Sequence, residues 1–127
     1  MKQAPVRLLC VEDDRVNALL LEQSCRQAGE LTLQFAETGA AALELAVGFA
    51  PDLLVIDLHL PDMDGCALLA ALRQTLDSPA LPAVLYTASP PDQVAEDAAA
   101  AGFQQIWNKP VTAEEIRAAL ARLNPSP

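Results

Sequence analysis

The chain has 127 residues, enough for one domain with an ordinary core, and a formal charge of −9 at pH 7. That charge excludes direct nucleic-acid binding and an anionic membrane surface as expectations, since both need clustered Lys and Arg. No stretch approaches the ~20 apolar residues of a membrane span, and Met1-Lys2-Gln3-Ala4-Pro5 lacks the apolar centre of a secretory signal. A soluble, cytoplasmic protein is expected. Cys10, Cys25 and Cys66 share no metal-ligand spacing and read as reduced thiols, mostly small buried hydrophobes.

Val6 to Val11 is a short apolar run closed by Glu12-Asp13-Asp14, a strand with three acids at its C-terminal end. A helix is expected from about Arg15, with Asp14 as N-cap, Val16, Leu19, Leu20 and Ser24 or Gln27-Ala28 facing inward, and Gly29 ending it. Leu31 to Phe35 alternates, as an edge strand does. Thr38-Gly39 opens a second helix to about Val47, with Leu43, Ala46 and Val47 inward. Leu53-Leu-Val-Ile-Asp57 is an uninterrupted apolar run ending on an acid, which reads as a strand buried on both faces. The loop His59 to Asp64 follows, and then a third helix from Asp64-Gly65 to about Thr75, with Leu68, Leu69 and Leu72 inside. Ala83 to Tyr86 is a fourth strand ending on Thr87-Ala88-Ser89. Pro90-Pro91 introduces a fourth helix, Asp92 to Ala101, stopped by Gly102. Gln104 to Trp107 is a fifth strand ending on Asn108-Lys109-Pro110. Thr112 and Glu115 form the capping box of a last helix to about Leu123, with a tail over 124–127.

Alternating strands and helices predict a parallel sheet covered on both faces. Right-handed crossovers favour a flavodoxin-like, doubly wound (βα)5 sandwich with strand order 2-1-3-4-5, in one domain whose ordered part spans about 5–123. In this arrangement Glu12, Asp13, Asp57, Thr87 and Lys109 converge on one crevice at the strand ends. Each has a plain structural alternative when taken singly: loop acids and a helix cap, a strand terminator, another cap, a surface lysine. Together they make a constellation. Carboxylates ~4 Å apart repel by about 4 kcal/mol per pair at an effective dielectric near 20, so protonation or a cation is required. Oxygen-only ligands suit Mg²⁺, and a carboxylate beside an ammonium and a hydroxyl suits nucleophilic attack on phosphorus.

The set Glu12-Asp13, Asp57 with Pro61 and Gly65, Thr87-Ala88 and Lys109-Pro110 resembles the receiver domain of two-component response regulators, over nearly the whole chain. The resemblance implies that Asp57 accepts a phosphoryl group from a histidine kinase or histidine phosphotransfer protein. It implies Mg²⁺, with Mn²⁺ as a substitute, held by Asp13, by Glu12 through water, by Asp57 and by the carbonyl oxygen of His59. Thr87, Ala88 and Lys109 would bind the phosphoryl group and switch the surface of the fourth helix, fifth strand and fifth helix for an output partner, which is unknown. The side chains of His59 and Ser89 would tune phosphoryl lifetime, and a cis Lys109-Pro110 bond is expected. The protein would be a signalling phosphoacceptor, not an enzyme, beyond assisting its own phosphorylation and slow dephosphorylation.

Some residues depart from the family pattern. Ile106 stands where many receivers carry Tyr or Phe, with Trp107 beside it, which leaves output coupling through Ile106 or Trp107 open. Val111 replaces a frequent Phe, and Phe103-Gln104-Gln105 lacks the charges of the dimer face of DNA-binding regulators, so a monomer or weak dimer is expected. Asn17 is similar to receivers of hybrid kinases and phosphorelays, which makes a receiver cut from a hybrid histidine kinase the alternative. His59, Asp62, Asp64, Phe103 and Trp107 also carry plain readings as loop, cap or packing residues. A haloacid-dehalogenase-type phosphatase would need an acid where His59 stands. A flavodoxin would need a phosphate-cradling first loop, which Glu12-Asp13-Asp14 would repel.

Overall fold

The computed structural model describes residues 5–123; the tail expected over 124–127 lies outside them. The elements are β1 (Val6–Val11), α1 (Arg15–Ala28), β2 (Leu31–Ala36), α2 (Gly39–Phe49), β3 (Leu53–Asp57), α3 (Gly65–Thr75), β4 (Ala83–Thr87), α4 (Pro91–Ala101), β5 (Gln105–Asn108) and α5 (Ala113–Leu123). All strand pairs are parallel, in the order β2-β1-β3-β4-β5. The expected flavodoxin-like topology is therefore the one observed. β5 lies one residue later than the alternation suggested, ending on Asn108.

Strand alternation divides the core into two layers. Leu9, Val11, Leu54, Ile56 and Leu85 pack with Leu68, Leu69 and Leu72 of α3 and Val94 and Ala98 of α4. Leu8, Cys10, Val55, Val84, Tyr86 and Trp107 pack with Leu21 and Cys25 of α1 and Ile116 and Ala119 of α5. β3 and β4 are buried along their whole length, as strands covered on both faces must be, and this is why their sequences show no alternation. Edge strand β2 alternates because one of its faces is less covered.

Two helix faces differ from expectation. Val16, Leu19 and Leu20 are exposed at 65%, 59% and 40%, while Leu21 and Cys25 are buried. Two apolar stripes run along α1, offset by one residue or ~100°, and the packing of α1 on α5 selects the second. Ser24 Oγ donates to the carbonyl of Val111 at 2.7 Å and Arg117 to that of Gln27 at 2.9 Å, which fixes the rotation of the helix. On α2 the buried line is Gly39, Ala42 and Ala46, so Val47 points to solvent and Leu43 is half-buried.

The helix ends carry their expected chemistry. Asp14, Thr38 and Asp64 cap α1, α2 and α3 by accepting from the N–H of Asn17, Ala41 and Ala67. Thr112 and Glu115 satisfy each other's backbone donors at the start of α5. α4 begins at Pro90-Pro91 with no side-chain cap. At its other end Gly102 adopts a φ of 98°, and its carbonyl accepts from Arg73, whose guanidinium also donates to Leu81. Among the described residues no helix is long and apolar enough to cross a membrane.

Candidate functional site

The register of the sheet builds the site. Val11 pairs with Ile56, Asp57 with Tyr86, and Thr87 with Asn108, so the chain leaves the central strands at nearly one level. Glu12, Asp13, Asp57, Thr87 and Lys109 all stand there. Carboxylate oxygens of Glu12, Asp13 and Asp57 lie within 4.8 Å of one another. Glu12 and Asp57 are buried, whereas Asp13 faces solvent and leaves one side open.

Lys109 binds the group together. Its Nζ forms an ion pair with Glu12 Oε1 and lies 3.3 Å from Asp57 Oδ2. Burial pushes the Glu12 carboxyl above its ordinary range; the Lys109 ammonium and the N–H of Asp14 pull it back down, and Asp57 raises it again. Three carboxylates against one ammonium leave an excess of negative charge. The donors are all oxygen and the Asp13 side is open, a set that fits a hard divalent cation keeping some of its water.

The loop from Leu58 to Asp64 is held closely. The N–H of His59 donates to Asp57 Oδ1 at 3.4 Å, while its side chain is exposed. Leu60 donates to Met63 and Gly65 to Leu58, and the backbones of His59 and Asp64 pair. Asp62, a loop acid as expected and exposed, also accepts from the N–H of Gly39 and Ala40 at 2.9 and 3.0 Å. It thus pins the loop to the positive end of α2.

On the other side, Thr87 Oγ1 accepts from the N–H of Ser89, and Ala88 between them is exposed. Asn108 received no role from the sequence. Its amide donates to the carbonyls of Thr87 at 3.3 Å and Ser89 at 2.7 Å, and the N–H of Lys109 adds a bond to Thr87 at 2.9 Å. The strand order already placed Asn108 beside Thr87, which was the available signal. Lys109-Pro110 is cis, as expected. Ile106 packs toward α4, whereas Trp107 is buried on the α1/α5 side with its indole N–H unpartnered. Trp107 therefore stands on the opposite face of the sheet from Ile106 and cannot stand in for an aromatic there.

A five-stranded parallel sheet with an acid trio and a lysine at its switch point defines a CheY-like fold of the flavodoxin type. The family described as response regulator receiver domain matches residues 8–121, and the chain belongs to it. Response regulator MprA of Mycobacterium sp. (strain KMS) is 36% identical over 95% of this chain and 53% of that protein. Sensor histidine kinase AruS of Pseudomonas aeruginosa is 32% identical over 95% of this chain and 12% of that protein. The chain thus spans about half the length of the response regulators it matches. Among solved structures, the signal receiver domain of an HD domain-containing protein from Pseudomonas fluorescens Pf-5 superimposes with a TM-score of 0.83 at 28% identity, covering 97% of this chain and 89% of that one. Chemotaxis protein CheY4 of Vibrio cholerae gives a TM-score of 0.84 at 22% identity, covering 94% and 99%, a likeness of fold alone.

Proposed function

We propose that Asp57 is the phosphoacceptor, taking a phosphoryl group from the phosphohistidine of a histidine kinase or phosphotransfer protein. The observation that carries this reading is Asp57 Oδ2 lying 3.3 Å from the Lys109 ammonium inside an otherwise acidic crevice open at Asp13. An Asp57 carboxylate oxygen attacks phosphorus, the P–O bond forms as the P–N bond to the donor imidazole breaks, and the imidazole leaves carrying the electron pair. Lys109 offsets charge on the phosphoryl oxygens. The Thr87 hydroxyl exchanges its bond from Ser89 for one to the phosphoryl group. Glu12, Asp13, Asp57 and the His59 carbonyl would hold Mg²⁺ or Mn²⁺. That ion would supply neutralising charge for the carboxylates and the incoming phosphoryl oxygens.

Switching would pass through Thr87 and Lys109 to the α4-β5-α5 surface and an output partner. Ser89 and the exposed side chain of His59 would set the phosphoryl lifetime. Within residues 5–123 this is one unit, cytoplasmic and monomeric or weakly dimeric. A second reading, a receiver working inside a hybrid histidine kinase as phosphorelay intermediate or phosphate sink, is favoured by the likeness to the kinase AruS. The test is incubation with acetyl phosphate and Mg²⁺, followed by mass spectrometry. The wild type should gain one phosphoryl group and Asp57→Asn none. A wild type that gains none, with acetyl phosphate or with phosphohistidine donors, overturns the reading.

A further inference from the structure

Tyr86 is a residue the phosphoacceptor reading does not use. It sits on β4 in register with Asp57 on one side and Trp107 on the other, and it is 1% exposed. Its side chain points into the α1/α5 layer, away from α4. Two contacts set it apart from a residue that merely fills that layer. The Lys109 ammonium lies over its ring, 5.0 Å from the centroid. Its hydroxyl donates to the carbonyl of Asn17, in the first turn of α1, at 3.4 Å.

We infer that Tyr86 is a positioning residue for Lys109, its ring face holding the ammonium beside Asp57 and its hydroxyl anchoring that ring to α1. The inference rests on Asp57 being the acceptor. Lys109 has a long, flexible side chain, and its ammonium sits between two carboxylates. Glu12, the nearer partner, would draw it away from the position where a phosphoryl group on Asp57 needs it. The electron-rich face of an aromatic ring attracts a cation without adding a charge that competes for it, and the attraction strengthens as water is excluded. Lys109 is mostly buried, so this condition holds. An aliphatic residue at position 86 would fill the layer but offer the ammonium nothing. The hydroxyl also accounts for Tyr in place of Phe, because it gives the far end of the ring a fixed partner.

The test compares Tyr86→Phe, which keeps the ring, with Tyr86→Leu, which removes it; Tyr86→Met replaces the Leu variant should that not fold. Two readouts are needed besides the thermal midpoint. The first is the NMR shift of the Lys109 ε-protons, displaced by the ring current of Tyr86 and measurable without phosphorylation. The second is the rate of phosphorylation by acetyl phosphate at saturating Mg²⁺. The Phe variant should keep the ε-proton displacement and a rate within about twofold of wild type. The aliphatic variant should lose the displacement and react about fivefold more slowly, as expected for a modest cation–π contribution. An unchanged ε-proton shift in the aliphatic variant, or rates that follow the thermal midpoint in both variants alike, would overturn the inference. A wild type that takes up no phosphoryl group fails the proposed function instead, and the ε-proton shift tells the two failures apart.

Discussion

A Cβ on Gly65 would run into the backbone carbonyl oxygen of Asp57 and come within 3.1 Å of Ile56 Cγ2. The first residue of α3 and the last of β3 are therefore packed backbone to backbone, with the N–H of Gly65 donating to Leu58 at 2.7 Å. The obstacle is main chain, so no side-chain rotation relieves it. Gly65→Ala should destabilise the fold by about 1–3 kcal/mol, the range for overpacking a tight site, and should slow uptake of phosphoryl by moving Asp57. Urea unfolding and the acetyl phosphate assay check the two effects. A variant with the wild-type midpoint would mean that the loop has slack.

Lys109 is the only cation paired with Glu12 among the described residues. Lys109→Met should cost about 3–5 kcal/mol at neutral pH, because it leaves a buried carboxylate without its partner. Adding Glu12→Gln should recover a large part of that loss, since the stranded charge is then gone. Chemical denaturation of the two single variants and the double variant gives the coupling. Simple additivity would contradict the pairing.

The bonds from Gly39 and then Ala40 hold the Asp62 carboxyl below its usual 3.8. With the folded-state value depressed, the unfolded chain binds more protons near that pH. The contribution to stability is present above about 3.8 and is lost as pH falls through the lower folded value. Asp62→Asn should thus be less stable than wild type at neutral pH, with a gap that closes in strong acid. Urea midpoints for both proteins across that range test this; a gap independent of pH would assign the effect to the side chain's shape instead of its charge.

Burial pushes the Cys25 thiol up to about 12 and raises that of Cys10 as well. Cys66 is raised too, by burial and then by Asp64 and Asp97, but it is only partly covered. Iodoacetamide at about pH 8 should label Cys66 first and slowly, reaching the others only on unfolding, because the thiolate is the reacting form. Peptide mapping after timed labelling distinguishes the sites.

The sheet order and the convergence of Asp57, Asp13, Thr87 and Lys109 could be read from sequence because buried parallel strands are unbroken apolar runs with polar ends. The caps at Asp14, Asp64 and Thr112 were equally readable, since a cap acts within one turn of its own helix. What stayed unread was side-chain partnership that the strand order does not set. The face of α1 depends on α5, because Val16-Leu20 and Leu21-Cys25 are comparable stripes until Leu21 and Cys25 pack with Ile116 and Ala119. Asp62 acts on backbone donors 22 and 23 residues away. The face of the sheet on which Trp107 is buried was undecided until the fifth strand's alternation was fixed by its pairing with β4.

The brace formed by Arg73 makes α4 unequal along its length. Its guanidinium grips the carbonyl of Gly102 and, through Leu81, the approach to β4, while the opposite end at Pro90-Pro91 has no side-chain cap. The uncapped end adjoins Thr87 and Ser89, while the braced end lies one helix length away. Arg73→Ala should therefore loosen the Gly102 end of α4 first, seen as faster amide exchange there than around Pro91 to Val94.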